Sequence, residues 1–317
     1  MIKSSFSFTH KSVLLNESIN FLSNKKKTIF IDGTFGDGGH SKALLEKNKT
    51  CKVYAIDRDP NVLKIVKVFT KKYNKRFKFI LGKISDLDKI SFQQKIINKV
   101  DGVFFDLGVS TRQLKDSSRG FSFKNNGPLD MRMGLTDETA EDFLNGQTEK
   151  KISDIIYKYG EERFSRKIAK AIINYKKKKR IESTLELVKI IKSVKKINKK
   201  SKINPATQTF QAIRIYLNDE IEELKKGLNI AIKILKKKGR IAVISFHSLE
   251  DRIVKNFFKQ NSGKIYNKSR YLPQEEPNNN ISKKLKIITK KVIKPMSQEI
   301  KLNYLSRSAK LRVAEKI

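Results

Sequence analysis

Three short apolar runs, each ending in an aspartate, constrain this chain more than any other feature. Thr28 to Asp32 reads TIFID, Lys52 to Asp57 reads KVYAID, and Val100 to Asp106 reads VDGVFFD. Apolar runs of this length suit strands buried on both faces, as in a parallel sheet. A glycine-rich turn, GTFGDGG from Gly33 to Gly39, follows the first run and leads into HSKALLEK, which reads as a helix. After the second run, Asp59 and Pro60 supply an N-cap and a first-turn proline for another helix. Phe77 to Leu81 is a further strand. Strand and helix alternating at this spacing is a βαβ pattern, so the fold class is α/β with a parallel sheet.

The pattern then breaks. Residues 115–204 contain no convincing strand and read as a helical insertion. Phe164, Ile168, Ala171 and Tyr175 are expected on one helical face, and Thr184 to Val194 forms another amphipathic helix. Apolar residues recur at three and four from Phe210 to Leu235, which predicts one long helix. Gly239 is expected to end it, and Arg240 to Phe246 forms a fifth strand. A polar loop from Asn261 to Asn280 precedes strand-like runs near Leu285 to Lys291 and Lys310 to Val313. The expected organisation is a discontinuous core, residues 1–114 and 205–317, interrupted by a helical domain, 115–204.

Four glycines between Gly33 and Gly39 let backbone approach a ligand closely, with N–H groups at a helix start facing it. A dinucleotide fingerprint needs a third glycine where Ser41 stands, whereas a methyltransferase turn has an acid ahead of the glycines, as Asp32 is. A purely structural tight turn is the third reading. Asp57, about twenty residues beyond the turn, is placed to accept from both hydroxyls of a ribose. Asp106 ends a further strand, and ligands of open parallel sheets bind beyond the carboxyl ends of the strands. Of only three histidines, His40 follows the glycine turn and His247 follows the fifth strand in SFHSLEDR. No histidine and acid cluster has ligand spacing, so no metal is expected. The single cysteine, Cys51, excludes an internal disulfide and fits a reducing cytoplasm.

The net charge is +38. Such a surface attracts polyanions and makes their binding salt-dependent. Lysine spread evenly through a chain rich in Lys, Ile and Asn also fits a compositional bias, so charge alone leaves a nucleic-acid partner open. The N-terminus has no clean apolar core for a signal peptide, and no run reaches the roughly 20 apolar residues of a membrane span.

The ordered motifs are GTFGDGGHS from Gly33, DGVFFDLGVSTRQL from Asp101, RGFSF from Arg119, GPLDMRM from Gly127, YGEERF from Tyr159, NPATQTFQAIRI from Asn204, ISFHSLEDRIVK from Ile244 and RSAKLR from Arg307. Together they resemble the bacterial 16S rRNA (cytosine(1402)-N(4))-methyltransferase family from about His10 to Glu315. The resemblance implies a class I, Rossmann-like S-adenosylmethionine methyltransferase sheet with a helical insertion. It also implies cytosine N4-methylation in the decoding region of 16S rRNA, on assembled small ribosomal subunits in the cytoplasm. Monomer and homodimer are both left open. By position, the cofactor contacts it implies are Gly38, Gly39, His40, Asp57, Ile84, Asp106 and Gln113. The family usually has Phe at Ile84, Pro at Ser12 and Asp at Lys115.

For that chemistry two catalytic residues are expected. Asp106, or the carbonyls after it, would accept from the cytosine amine; alternatively Asp106 only holds the methionine portion of the cofactor. His247 would orient the base or receive a proton. Asp130 and Arg132 contact RNA or pair with each other. The basic runs Lys176 to Arg180 and Lys195 to Lys202 contact phosphates or form a solvated lysine face.

Overall fold

The computed structural model describes residues 12–22, 28–134, 136–195, 204–263 and 283–317. These form two compact units: residues 1–108 with 222–317, the sheet unit, and residues 109–221, the helical unit. The helical unit therefore begins and ends outside the limits of 115 and 204 drawn from sequence. The expected loop at Asn261 to Asn280 and the lysines from 196 to 202 fall largely outside the described residues.

Among the described residues α1 (Leu15–Leu22) comes first, then β1 (Ile29–Asp32), α2 (Gly39–Lys47), β2 (Lys52–Asp57), α3 (Leu63–Tyr73), β3 (Phe77–Leu81), α4 (Leu87–Gln93) and β4 (Val100–Asp106). The helical stretch supplies α5 (Thr111–Lys115), α6 (Ala140–Gly146), α7 (Glu149–Gly160), α8 (Ser165–Lys176), α9 (Thr184–Val194) and α10 (Thr207–Leu217). Then come α11 (Glu220–Ile234), β5 (Leu235–Ser245), α12 (Ser248–Asn261), β6 (Leu285–Ile287), α13 (Ser297–Leu302) and β7 (Lys310–Lys316).

The strands form one seven-stranded sheet in the order β3-β2-β1-β4-β5-β7-β6. The first five are parallel; β7 runs antiparallel to both β5 and β6. This is the class I, Rossmann-like α/β sheet implied by the resemblance. β4 is buried along almost its whole length, as a central strand covered on both faces should be. Phe30, Phe104 and Leu311 pack into one apolar layer, and Ile31, Phe105 and Val243 into the other. The alternation of these neighbours along each strand is the two-residue period that sorts side chains to opposite faces. All five parallel strands end at the edge that carries Asp32, Asp57 and Asp106.

Three local expectations are corrected. The predicted long helix from Phe210 to Leu235 is two helices, broken at Asn218 and at Asp219, whose φ is 50°. Fully buried Asn218 donates to the Met131 and Arg214 carbonyls and accepts the Met133 N–H, so its amide serves a neighbouring loop. The helix also does not last to Gly239. It passes into β5 at Leu235, and the ladder jumps from Val100–Leu235 to Gly102–Arg240 around an irregular segment. Gly239 is required there because a Cβ would come 2.9 Å from the Val100 carbonyl oxygen. Finally, of the face expected on α8, Ile168 is buried and Ala171 and Tyr175 pack against the core beside buried Ser165, Ala169 and Ile172, whereas Phe164 precedes the helix and is 41% exposed.

The helical unit has its own core, centred on Phe143, Ile156, Ile168, Leu187 and Ile213. Two sequence motifs meet inside it. Gln208 donates to the Gly160 and Glu161 carbonyls, and Gln211 to the Tyr159 carbonyl. The glutamines of NPATQTFQAIRI thus cap the end of α7, where YGEERF begins. Buried Glu162 of that motif pairs with Lys195 at 2.5 Å.

Candidate active site

The site in the sheet unit is built from three strand ends and the turn after β1. Gly36 and Gly38 adopt φ values of 52° and 76°, a region open to glycine. A Cβ on Gly38 would strike the Phe69 and Phe35 rings, and one on Gly39 would collide with the Ser12 hydroxyl. α2 then starts with Gly38 as its N-cap, which brings no side chain to satisfy the first-turn N–H groups.

Asp32 is 1% exposed. It accepts from the Ser41 hydroxyl at 2.6 Å and from the Thr34 N–H at 3.3 Å. Burial pushes its carboxyl up to about 6 despite these donors, and the charge of Asp57 pushes the same way. Asp57 accepts from the Gly36 N–H at 2.7 Å and the Asp59 N–H at 2.8 Å, so it braces the glycine turn. Asp59 in turn caps the short 3-10 turn that begins at Pro60, as the sequence predicts.

Asp106 is held by its backbone, whose N–H donates to the Thr34 hydroxyl at 2.6 Å. Its Oδ1 is inaccessible and has no hydrogen-bond partner among the described residues. Burial first, then the charges of Asp32 and Glu250, raise its carboxyl well above the usual range. His40 lies alongside, with Nδ1 3.7 Å from Asp106 Oδ2 and the ring 4.2 Å from that of Phe104. Its Nε2 faces the Val13 carbonyl at 3.2 Å. A carbonyl can only accept, so the ring proton sits on Nε2 and Nδ1 presents a lone pair. Burial pulls His40 down to about 4, so the ring is neutral at pH 7. His40 therefore turns an acceptor towards the Asp106 carboxyl, and Asp106 Oδ2 and His40 Nδ1 are close enough for one donor to reach both.

The other expected residues are distributed more widely. Ile84 opens a 3-10 turn after β3 and touches the space left by two glycines: a Cβ on Gly33 would lie 3.1 Å from it, and one on Gly227 of α11 would lie 3.2 Å from it. His247 is the N-cap of α12. Its Nδ1 faces the Glu250 N–H at 3.4 Å and its Nε2 faces Glu250 Oε1 at 3.0 Å, while Glu250 accepts the Phe246 N–H. Gln113 belongs to the helical unit, where its side chain accepts the Ser110 N–H in the capping box of α5.

Three residues absent from the sequence expectation matter to this geometry: Thr34, Ser41 and Glu250. Ser41 stands where a dinucleotide fingerprint has glycine. A hydroxyl in the first turn of α2 is the signal that the preceding strand-end acid is buried and needs a donor. Thr34 and Glu250 act across elements, so nothing local marks them.

Several motif residues are structural clasps. Asp251 of SFHSLEDR pairs with Arg312 at 2.7 Å and Lys310 at 3.3 Å, tying α12 to β7. Asp130 and Arg132 pair with each other at 2.9 Å. In the first basic run, Lys176 donates to the Leu144, Asn145 and Gln147 carbonyls at the end of α6. Lys179 pairs with Glu186, and Arg180 with Glu141. No helix among the described residues is long and apolar enough to cross a membrane.

A glycine turn flanked by strand-end acids is shared by many nucleotide-binding sheets, and similarity to known proteins narrows the choice. The MraW methylase family matches residues 7–317. The chain belongs to this family. Ribosomal RNA small subunit methyltransferase H of Rickettsia africae is 50% identical over 312 residues, 98% of each chain. The protein of the same name from Rickettsia prowazekii is 50% identical over 311 residues, 97% of this chain and 98% of that one. Among solved structures, an rRNA methylase from Streptococcus thermophilus aligns at a TM-score of 0.42 with 11% identity, over 97% of this chain and 98% of that one. A Streptococcus mutans protein in complex with SAH aligns at 0.39 with 15% identity, over 97% and 100%.

Proposed function

We propose that this methylase transfers a methyl group from S-adenosylmethionine to the N4 amine of a cytosine in small-subunit rRNA, at position 1402 of 16S rRNA. The observation that carries the donor assignment is the gathering of Asp32, Asp57 and Asp106 around one glycine turn, with the first and last pushed up by burial and by neighbouring carboxylates. A cation among them relieves that repulsion, and a sulfonium and an ammonium are the charges of S-adenosylmethionine. A dinucleotide offers an anionic pyrophosphate, which the same carboxylates repel. When bound, the cofactor supplies a methyl group on a positively charged sulfur, open to in-line displacement.

The chain's own residues then have distinct tasks. Gly38 and Gly39 allow backbone to approach the cofactor, and the uncapped start of α2 offers N–H groups to its carboxylate. Asp57 is the acceptor for the ribose hydroxyls. Ile84 gives apolar packing for the adenine in place of a stacked ring. Gln113 stays in the set on the resemblance alone. Asp106 Oδ2 and His40 Nδ1 lie 3.7 Å apart as a pair of acceptors, and an aromatic amine presents two N–H donors. Acceptors aimed at that amine turn its lone pair towards the methyl group and favour its tetrahedral character. His247 Nδ1 accepts the Glu250 N–H, while its buried Nε2 lies 3.0 Å from Glu250 Oε1 without a hydrogen bond among the described residues, so the expected proton-receiving role stays open for Nε2. Through Nδ1 it also positions Glu250, whose charge acts on Asp106.

The RNA half is supported by the 50% identity to relatives named as small-subunit rRNA methyltransferases. The N4 and position assignments rest on the ordered motifs. The helical unit is proposed to recognise RNA, and cytoplasmic small subunits to be the substrate. Binding of S-adenosylmethionine but not NAD tests the cofactor. The decisive experiment compares N4-methylcytidine in digested 16S rRNA from cells with and without the gene; an unchanged level overturns the reading.

A further inference from the structure

Between β6 and β7 the chain leaves the sheet and returns to it at one edge. Ile293 bridges Leu311, and Lys310, the first residue of β7, pairs with Ser245, the last residue of β5. Leu311 also pairs with Ile244, the partner of Asp106 in β4. Both ends of the excursion are therefore pinned at the edge where the strand-end acids stand. A short strap ties it to the glycine turn as well. Glu299 of α13 accepts the Leu14 N–H at 2.8 Å, and the neighbouring Val13 carbonyl takes His40 Nε2.

The excursion presents large apolar side chains to solvent: Met296 is 68% exposed, Leu302 76%, Tyr304 56% and Leu305 42%. Four large apolar side chains exposed within ten residues of one another in the chain suit an interaction surface. The Arg307 guanidinium lies 4.2 Å from the Tyr304 ring centroid and donates to the Tyr304 carbonyl, which fixes the ring from one side. The charge of the segment is one-sided. Lys290, Lys291, Lys294, Lys301 and Arg307 stand against a single acid, Glu299, whose carboxylate is engaged by the strap. An aromatic platform among cations, beside a site that takes one base out of its stack, is what a single strand of nucleic acid needs. Aliphatic surface alone would suit a protein; the excess of positive charge favours a polyanion.

We propose that the 294–307 excursion binds the single-stranded RNA flanking the target cytosine, with a neighbouring base stacked on Tyr304 and its phosphates on Lys301 and Lys294. This rests on the rRNA reading above and adds a second RNA surface, in the sheet unit, to the recognition proposed for the helical unit. The test uses full-length protein, a fluorescein-labelled single-stranded RNA carrying the target sequence, and small subunits lacking the methyl group. Tyr304→Ala is expected to weaken the RNA about ten-fold, in anisotropy and in the KM for subunits, in line with the usual worth of a stacked base. Tyr304→Phe should bind as wild type. Lys301→Ala should flatten the plot of log affinity against log salt by about 0.7. Phe92→Ala, which removes another exposed ring, on α4, should change nothing, and S-adenosylmethionine affinity should hold throughout. Wild-type RNA affinity in Tyr304→Ala overturns the proposal. So does loss of a dimer in sedimentation with RNA binding intact, which would make the face a contact between copies. If the oligonucleotide depends on Tyr304 but no rRNA is methylated, this surface stands and the rRNA assignment falls.

Discussion

Asp106 is held where burial and two like charges oppose its ionisation, yet its Oδ1 has no donor among the described residues. An unmade bond on a buried carboxyl oxygen costs about 1–3 kcal/mol, so the position is a poor one for stability alone. Asp106→Asn keeps the shape and one acceptor but replaces an oxygen by an NH2 group. We expect kcat to fall by about 100-fold, more than the loss of S-adenosylmethionine affinity in titration calorimetry, about ten-fold, that removing one of the carboxylates around the cofactor brings. Full turnover with weakened cofactor binding would instead make Asp106 a cofactor ligand only. Asp32 and His40 give a pH signature. Folding raises Asp32 from 3.8 to about 6, so between those values the folded chain holds more protons and stability falls as pH rises. His40 moves the other way, from 6.5 to about 4; its contribution is full above 6.5 and is lost as pH falls towards 4. The two oppose each other across about pH 4 to 6. Asp32→Asn removes the falling part, so urea midpoints of the variant should climb more steeply with pH over this range than those of the wild type. The rise of Asp32 from 3.8 to about 6 corresponds to a relative drift on the order of 3 kcal/mol; parallel curves would contradict the burial of an ionisable Asp32.

At the scale of elements, α7 and α10 approach closely because Gly160 has no side chain. A Cβ there would lie 2.5 Å from the Gln208 carbonyl oxygen. Helix propensity alone favours Gly160→Ala by about 1 kcal/mol, whereas overpacking against backbone costs about 1–3 kcal/mol. The backbone contact should win. The variant is expected to lose about 1–2 kcal/mol in chemical unfolding; a gain would mean that the two helices separate easily. Boundaries were legible wherever an element carries its own signal. β2, β3, β4 and α9 end where acids, turns and apolar periods place them. The α10–α11 break was not, because Leu217 and Ile221 keep helical spacing across it. Its cause is the buried Asn218 amide, whose partners Met131 and Met133 lie far back in the chain. The start of β5 was missed for a related reason: KKKG reads as a helix end, but pairing with β4 claims Leu235.

For the whole molecule, the charge of +38 predicts a steep fall in rRNA affinity with salt while S-adenosylmethionine affinity stays nearly flat. Filter binding and calorimetry across roughly 50 to 400 mM salt, about a three-fold change in Debye length, would measure both. Not every lysine contributes. Lys176 spends its ammonium on three carbonyls at the end of α6, so Lys176→Ala should lower stability by about 1–2 kcal/mol and leave the salt slope unchanged. A flatter slope would return Lys176 to the phosphate contacts. The same distinction applies to Lys179 and Arg180, which read as a basic run and are paired with Glu186 and Glu141.

The sequence by itself determined the parallel sheet, the glycine turn and the acids at three strand ends, because each is written in neighbouring residues. It also carried the family, through motifs kept in order along the chain. Only the tertiary structure decided what those residues do to each other. The proton of His40 is set by the Val13 carbonyl, the shift of Asp106 by burial with Asp32 and Glu250, and the brace on Asp32 by Ser41. It likewise turned SFHSLEDR and RSAKLR into one ion-paired clasp. Burial and charge coupling depend on distances between segments far apart in the chain, and no local pattern records them.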